Sequence, residues 1–579
     1  MGIPSYFKTI LSKYPQAIQK KLKNKIEYFF IDFNSIIYDS VVKIDFEKHK
    51  NKSMTQLENI LIKEVIKDLQ DLICKQVKPS KMVYIAMDGV APRAKMIQQR
   101  FRRYKGIIET EFKNELKEKY NIPIYKSFTG MFSPGTKFMI KLSKQIEKAI
   151  KDKKFSKHTK KELQFILSDT SNPGEGEHKY MPKLRELVTS NSKSNVVVLS
   201  PDADVIVLSM LSKKKNVFIM RPTKDMGNFA LDVNFVYLEV DFVSNVFIET
   251  LMGESTKDKD RLLYDYIFLT SIEGNDFVIP IKFMKMKIDN MRLLTKFYNE
   301  VSESEYLVDI TDSGFKINKS FFMRILQKIA DIEQHKFQGL MKRIHYTKKN
   351  NNQNNSKENG KSPYEIAVSR FEHKAYYDKQ NPNYHKYIKE FSKIDYWKDD
   401  WKEQYYDYFL QINTKNEKEY NYFMKRVCQN YLEGFYFNME YYITGIPAWR
   451  WHYRYRCAPM ASDLLTYMKH YPKCLDIKID KLTPYTQLQQ LFMIIPPQLK
   501  SLLPPKYAKL VDTVDSGLVQ YFPLKFELDV VMGDKFIYSE PNLPDFNDEK
   551  VIEVLEKIKL SKTDENRNKL SDSVIEINI

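Results

Sequence analysis

Cysteine is scarce in this chain: four in 579 residues (Cys74, Cys428, Cys457 and Cys474), with no CxxC pair and no Cys/His spacing. That argues against a disulfide-framed fold and a structural zinc site, and fits a reducing compartment. Long apolar runs are missing too, none approaching the roughly 18 residues that a membrane span requires. The first six residues lack a charged leader and an apolar core, and Tyr6 stands where a myristoylation signal needs Ser or Thr. These absences lead us to expect a soluble, cytoplasmic protein, with a nuclear location also open. Acid is in short supply relative to base, 74 Asp+Glu against 93 Lys+Arg, for a formal net charge of +19. Such an excess favours an anionic partner such as nucleic acid, provided the lysines are placed rather than scattered by an AT-biased composition rich in Asn, Lys and Tyr.

What is present is a chain long enough for a large core and more than one domain, with 43% hydrophobic residues and no internal repeat. Apolar spacing predicts a short helix over residues 3–14. Compact apolar runs then recur with an acid after them: Ile26–Ile31 with Asp32, Met82–Met87 with Asp88, Phe165–Ser168 with Asp169, and Val196–Leu199 with Asp202 and Asp204. Helical patterns such as Leu57–Cys74 separate them. Strands alternating with helices of this length imply crossovers and a mainly parallel sheet covered on both faces. Such sheets bind ligands beyond the carboxyl ends of their strands, where Asp32, Asp88, Asp202 and Asp204 fall. A single Asp there is ordinarily a helix cap; several converging ones exceed what capping requires.

The segment Pro173-Gly174-Glu175-Gly176-Glu177-His178 adds two carboxylates in a flexible turn, with His178 expected to hydrogen-bond behind them. Asp276 follows the apolar Tyr266–Leu269. Seven acids are therefore candidates for one site: Asp32, Asp88, Glu175, Glu177, Asp202, Asp204 and Asp276. Gathered in a cleft they would repel one another, which hard divalent cations with oxygen ligands relieve. Two Mg²⁺ ions, or Mn²⁺, would activate water and stabilise the leaving oxygen of an in-line phosphoryl displacement. Directly after Asp88 come Arg93, Lys95, Arg100, Arg102, Arg103 and Lys105 with no intervening acid. Helical spacing puts Lys95, Gln99, Arg102 and Arg103 on one face, suited to a terminal phosphate.

These residues occur in an order that resembles the XRN-type 5′→3′ exoribonucleases. The match runs through Met1-Gly2-Ile3-Pro4, Asp32-Phe33-Asn34-Ser35, Asp88–Arg100, Ser133-Pro134-Gly135-Thr136, Pro173–Lys179, Asp202-Ala203-Asp204 and Gly274-Asn275-Asp276-Phe277. It continues in Glu433-Gly434, Tyr441-Tyr442, Trp449-Arg450-Trp451 and Tyr521-Phe522-Pro523. The resemblance implies a PIN/FEN-like nuclease core and a processive hydrolase of RNA bearing a 5′ monophosphate. It also implies that the seven acids hold the metals and that Lys95, Gln99, Arg102 and Arg103 form the 5′-phosphate pocket. Two departures keep an aromatic face: Tyr38 stands where the family has a base-stacking His, and Phe437 where it has a Trp. Both are candidate base-stacking residues.

The expected division is a nuclease core over 1–345, a disordered, exposed linker over 346–362, and a second, mostly helical and aromatic region over 363–579 that supports the active-site wall. Trp397, Trp401, Tyr405, Tyr406 and Tyr408 read as packing residues. The expected partner is single-stranded RNA with a 5′ monophosphate, supplied by decapping factors, and the expected state is a monomer. A compact form of this composition suits a large DNA virus or a unicellular parasite. Two alternatives stay open: a flap-type DNA endonuclease on a similar sheet, and a catalytically silent RNA-binding scaffold.

Overall fold

The computed structural model describes residues 10, 13–159, 161–223, 233–252, 257–284, 288–302, 304–311, 314–349, 360–383, 386, 393–530 and 535–579. The helix expected over 3–14 and the Met1–Pro4 motif lie almost wholly outside them. Seven strands build the sheet in chain order: β1 Ile18–Gln19, β2 Tyr28–Asp32, β3 Met82–Ala86, β4 Gln164–Ser168, β5 Val196–Leu199, β6 Val217–Pro222 and β7 Phe235–Glu239. The C-terminal strand Ile575–Asn578 completes it, in the order β1-β7-β6-β5-β2-β3-β4 and then that strand. β2 through β6 run parallel, whereas β7, β1 and the C-terminal strand join antiparallel at the edges. The parallel strands read as unbroken apolar runs because both faces are buried. Phe30, Tyr84, Ile166 and Val198 face one core. Their neighbours Phe29, Ile31, Val83, Ile85 and Val197 face the other. This is the period-2 alternation of a pleated strand.

The helix Met54–Asp71 begins at Ser53 with a capping box and runs into a wider turn over Leu72–Val77, where the apolar pattern predicts one continuous helix to Cys74. The basic run after Asp88 is one long helix, Arg93–Lys119. One expectation is corrected here: the apolar Tyr266–Leu269 lies inside the buried helix Lys259–Ile272, so Asp276 follows a helix and not a strand. A short apolar run bounded by turns does not by itself separate a buried strand from a buried helix.

Of the expected linker, residues 346–349 instead continue the helix Glu333–Lys349, residues 350–359 lie outside the described residues, and Ser362 caps the next helix, Pro363–His373. Beyond that point the chain is mostly helical, and its central element is the helix Glu417–Ile443. Of the aromatics expected to pack, Trp401, Tyr405 and Tyr406 are buried, whereas Trp397 is exposed. The last strand pairs with β4, Ile575 opposite Leu167, so the chain returns to this sheet. Among the described residues no helix is long and apolar enough to cross a membrane.

Candidate active site

β2 ends at Asp32, whose carboxylate accepts from Ser200 Oγ at 2.9 Å across the gap to β5. β3 delivers Asp88 two residues beyond its last hydrogen-bonded position, and Asn34 Nδ2 donates to Asp88 Oδ2 at 2.8 Å. The turn 173–176 brings the third group. Gly174 takes φ +108°, a region open to glycine, and exchanges backbone hydrogen bonds with Gly89 and Val90. Gly176 starts the helix Gly176–Ser190, and its N–H donates to Asp88 Oδ1 at 2.9 Å. A Cβ on Gly176 would lie 3.1 Å from both Asp32 Oδ1 and Ala86 O, so any side chain there would have to push the helix and these oxygens apart by a few tenths of an ångström. Its positive N-terminal end therefore points at the acids.

One carboxylate oxygen from each of Asp32, Asp88 and Glu177 lies within 4.8 Å of the other two. An all-carboxylate set at that spacing fits a hard divalent cation. The other four acids surround these three. Glu175 and Asp276 are joined by Lys95, whose Nζ sits 2.6 Å from Glu175 Oε2 and 2.7 Å from Asp276 Oδ2. Gln98 also donates to Asp276. Asp204 opens the helix Asp204–Leu211 and accepts from Tyr442 Oη at 3.2 Å. Asp202 lies close enough for its charge to bear on Asp32 and Glu177.

Burial and mutual repulsion mark the cluster. Burial first, then the charges of Asp88 and Asp202, hold the Asp32 carboxyl well above its ordinary range. Glu177 is raised in the same way, by burial and by Glu175 and Asp32. Burial and Asp276 push Asp204 up to about 7. Lys95 stays cationic despite burial because Asp276 and Glu175 flank it. Seven acids with one buried lysine form a site that gains from added positive charge.

The basic helix divides its labour. Lys95 and Gln98 reach Asp276, Gln99 Oε1 is buried without a protein partner, and Arg103 Nη2 donates to Ser133 Oγ at 2.6 Å while its Nη1 is likewise buried without one. Arg93 instead clasps Asp545 and Asp548 at 2.7 and 2.9 Å. Arg100 donates to Pro544 O and Tyr521 O and lies over the Phe546 ring. Lys105 donates to Ile537 O and Ser539 O, so half of the basic run anchors the C-terminal region, a split that charge alone does not announce.

Of the two stacking candidates, Tyr38 is 59% exposed, with its ring edge on Phe132. Phe437 is corrected: it is 0% exposed, stacked on Trp451 at 4.6 Å and on Tyr441 at 6.0 Å, and offers no face to a base. The two positions should then differ in kind. Tyr38→Ala is expected to leave the melting temperature unchanged and raise KM for RNA several-fold, by the roughly 1–3 kcal/mol that base stacking is worth. Phe437→Leu is expected to cost about 1 kcal/mol of stability. Thermal melts of the two variants beside RNA kinetics check the pair, and a destabilised Tyr38→Ala would contradict it.

Sequence reasoning missed several members of this site. Tyr441 Oη donates to Glu175 Oε1 at 2.5 Å, and with Tyr442 it carries the second region into the acid cluster. Lys179 Nζ donates to Met87 O and Asp169 O at 2.5 and 2.6 Å, stapling the ends of β3 and β4, and its burial lowers it to about 7. Asp169 itself serves a turn, accepting from Ser171 and Ser143. His178 does not make the expected hydrogen bond: its ring lies 3.7 Å from that of Tyr441, Nε2 is buried without a protein partner, and burial lowers it to about 3. Only the adjacency of Asn34 to Asp32 and the paired tyrosines hinted at these roles.

Two matches to known families cover most of the chain. Residues 1–223 match the family described as XRN 5′-3′ exonuclease N-terminus, and residues 363–578 the one described as Xrn1 helical domain. The chain is 26% identical to the 5′-3′ exoribonuclease 2 of Gallus gallus, over 99% of this chain and 72% of that protein. It is 26% identical to the 5′-3′ exoribonuclease 2 homolog of Drosophila melanogaster, over 95% of this chain and 70% of that protein. Against the 5′-3′ exoribonuclease 1 of Saccharomyces cerevisiae the figures are 25%, 99% and 44%, so the chain spans less than half of that relative.

Proposed function

Because the chain belongs to the XRN family of 5′-3′ exonucleases, we propose that it is a 5′→3′ exoribonuclease that removes nucleotides processively from single-stranded RNA bearing a 5′ monophosphate. The observation that carries this reading is the meeting of two opposite chemistries: seven acids at one end of the sheet, and a cationic helix face directly beside them. Asp32, Asp88 and Glu177 are the residues that would hold a divalent cation, Mg²⁺ in the first instance, with Glu175, Asp202, Asp204 and Asp276 completing a site for two. Bound there, such ions supply charge neutralisation at phosphorus and a more acidic water for hydrolysis.

The protein's own groups do the rest. Ser200 and Asn34 fix the Asp32 and Asp88 carboxylates in orientation, and the helix N-terminus at Gly176 stabilises their charge. Arg103 keeps one donor, Nη1, unspent beside the exposed Arg102, which suits a terminal phosphate with paired acceptor oxygens. Tyr38, close enough to feel the Arg103 charge, would stack on the first base. The domain division at about 345 and 363 follows the same reading, with Tyr441 and Tyr442 as the wall of the second region. A terminal-phosphate pocket on the basic helix would leave no path for a continuing strand, which disfavours the flap endonuclease, and a silent scaffold has no use for a buried cluster of unneutralised acids.

Digestion of matched RNAs with 5′-monophosphate, triphosphate, cap or hydroxyl ends, and of single-stranded DNA, with and without Mg²⁺, tests the proposal. Rapid loss of the monophosphate RNA alone, dependent on Mg²⁺, is expected; equal digestion of all ends would overturn the selectivity. Arg102→Ala is expected to lower the preference for monophosphate over hydroxyl RNA about tenfold or more, since a charge-assisted contact is worth roughly 1.5–3 kcal/mol. An unaltered ratio would remove Arg102 from the pocket.

A further inference from the structure

The amino ends of the strands, opposite the acids, carry a second charge pattern. Three loops meet there and contain no acid at all: 78–81 with Lys78 and Lys81; 191–195 with Lys193; and 212–216 with Lys213, Lys214 and Lys215; Lys25, whose carbonyl accepts from Asn195 Nδ2, stands beside them. The segment 153–158 joins them, since His158 Nε2 lies 2.8 Å from Pro79 O, and it brings Lys153, Lys154 and Lys157. All of these lysines except Lys214 are exposed.

The row is held in register. Buried Lys214 donates to Ser192 O and Ser194 O, Asn195 Nδ2 donates to Lys25 O, Ser80 N bonds Ile26 O, and Val196 N bonds Asn216 O. Of the nearby acids, Glu27 and Asp241 are engaged with Asn195 N and Asn216 N, Asp241 also meeting Lys215, while Asp152 and Glu162 are exposed at the margin beside Lys153 and β4. A compositional surplus of lysine would not arrange itself so.

A second observation is conformational. Lys78, Lys153 and Lys213 have φ of 54°, 55° and 58°, each just past the end of a helix. Glycine is the usual residue at such a left-handed position, because a Cβ is strained there. A cation near a helix C-terminus gains from the dipole, but one within the last turn supplies that gain without strain. Keeping lysine at three such positions on one rim retains charge against a conformational cost.

We infer that this rim is a docking surface for the phosphate backbone of RNA, engaging the body of a substrate whose 5′ end is in the active site; the inference rests on RNA being the substrate. Lysines without arginine or exposed aromatics suit phosphates as point charges and read no base. The strands put the rim about 17 Å behind the acids, at roughly 3.3 Å per residue, so only RNA longer than the active-site groove reaches it. An anionic membrane fits less well, because no large exposed apolar side chain lies in these loops to enter the lipid.

The test uses the full chain with Lys78→Gly, Lys153→Gly and Lys213→Gly combined, a variant that removes charge while relieving strain, so its melting temperature is expected to hold. Affinity for a long single-stranded 5′-hydroxyl RNA should fall about tenfold, and the slope of log affinity against log salt should flatten by about 2, at roughly 0.7 per lost contact. Digestion of a short 5′-phosphorylated RNA of about ten nucleotides, within the length one groove covers, should be unchanged. Lys81→Glu with Lys25→Glu and Lys193→Glu should weaken long-RNA binding further, and the matching Arg variants should retain it. Unchanged affinity and slope would overturn the inference, as would loss of binding to phosphatidylserine vesicles with RNA binding intact. Failure of the unaltered protein to digest the short RNA would instead count against the exoribonuclease reading, leaving the binding result to stand by itself.

Discussion

Glu177→Gln is expected to slow Mg²⁺-supported RNA digestion about a thousandfold, while raising the melting temperature of the protein in EDTA. The first effect follows from removing one of the three carboxylates that converge within 4.8 Å. A divalent ion at phosphorus supplies several kcal/mol of transition-state stabilisation, and about 4 kcal/mol corresponds to three orders of magnitude in rate. The second effect comes from the same geometry. Glu177 is buried and raised by burial, by Glu175 and by Asp32, so an ionised Glu177 opposes the folded state that contains it. Its amide has the same shape without the charge, and replacing it relieves that repulsion. Single-turnover digestion and thermal melts with EDTA and with Mg²⁺ read both quantities. The signature is opposite signs, with slower chemistry and a more stable apoprotein, plus a smaller gain in melting temperature on adding Mg²⁺. A variant both slow and unstable would mean that Glu177 supports the fold rather than the cation site.

Much of this architecture was legible because local chemistry decided it. The four central strands are uninterrupted apolar runs ending in an acid, and both the runs and their termini stand within two residues of expectation for β2 through β5. The edge strands β1 and the C-terminal strand, two and four residues long, carry no such signal, since their pairing depends on where the chain returns. The apolar run before Asp276 carries no helical period, because the helix around it is buried all round. The candidate site shows the same boundary. The seven acids could be named from residue type and position, whereas the lysine and tyrosines that share their hydrogen bonds come from up to 266 residues away. Arg93 and Arg100 resemble Arg102 and Arg103 in sequence and differ only in which side of one helix they leave. Phe437 illustrates the remaining limit: an aromatic is equally suited to a base or to a core, and only the arrival of Trp451 decides.

Lys95→Met separates two roles that a single buried lysine could serve, and it carries the largest expected effect on stability. In this structure Lys95 Nζ is the counter-ion of Glu175 and Asp276, at 2.6 and 2.7 Å, and its side chain is 7% exposed. Methionine fills a similar volume without charge, so the variant keeps the packing and leaves two buried carboxylates uncompensated. Breaking a buried pair in this way costs about 3–5 kcal/mol, several times the loss expected at Phe437. A marked fall in melting temperature in EDTA should result, together with a larger recovery on adding Mg²⁺ than the unaltered protein shows, because a cation then replaces the missing charge. If Lys95 also grips the terminal phosphate, the variant should lose selectivity for 5′-monophosphate over 5′-hydroxyl ends as well. The geometry favours the counter-ion role, since an ammonium with two carboxylates within 2.7 Å has only one donor left for a phosphate. Selectivity should therefore fall less in Lys95→Met than in Arg102→Ala, whose side chain stands at the surface of the same helix. Unchanged stability with selectivity abolished would reverse the assignment: Lys95 would then belong to the phosphate pocket, and the acids would be balanced by cations alone.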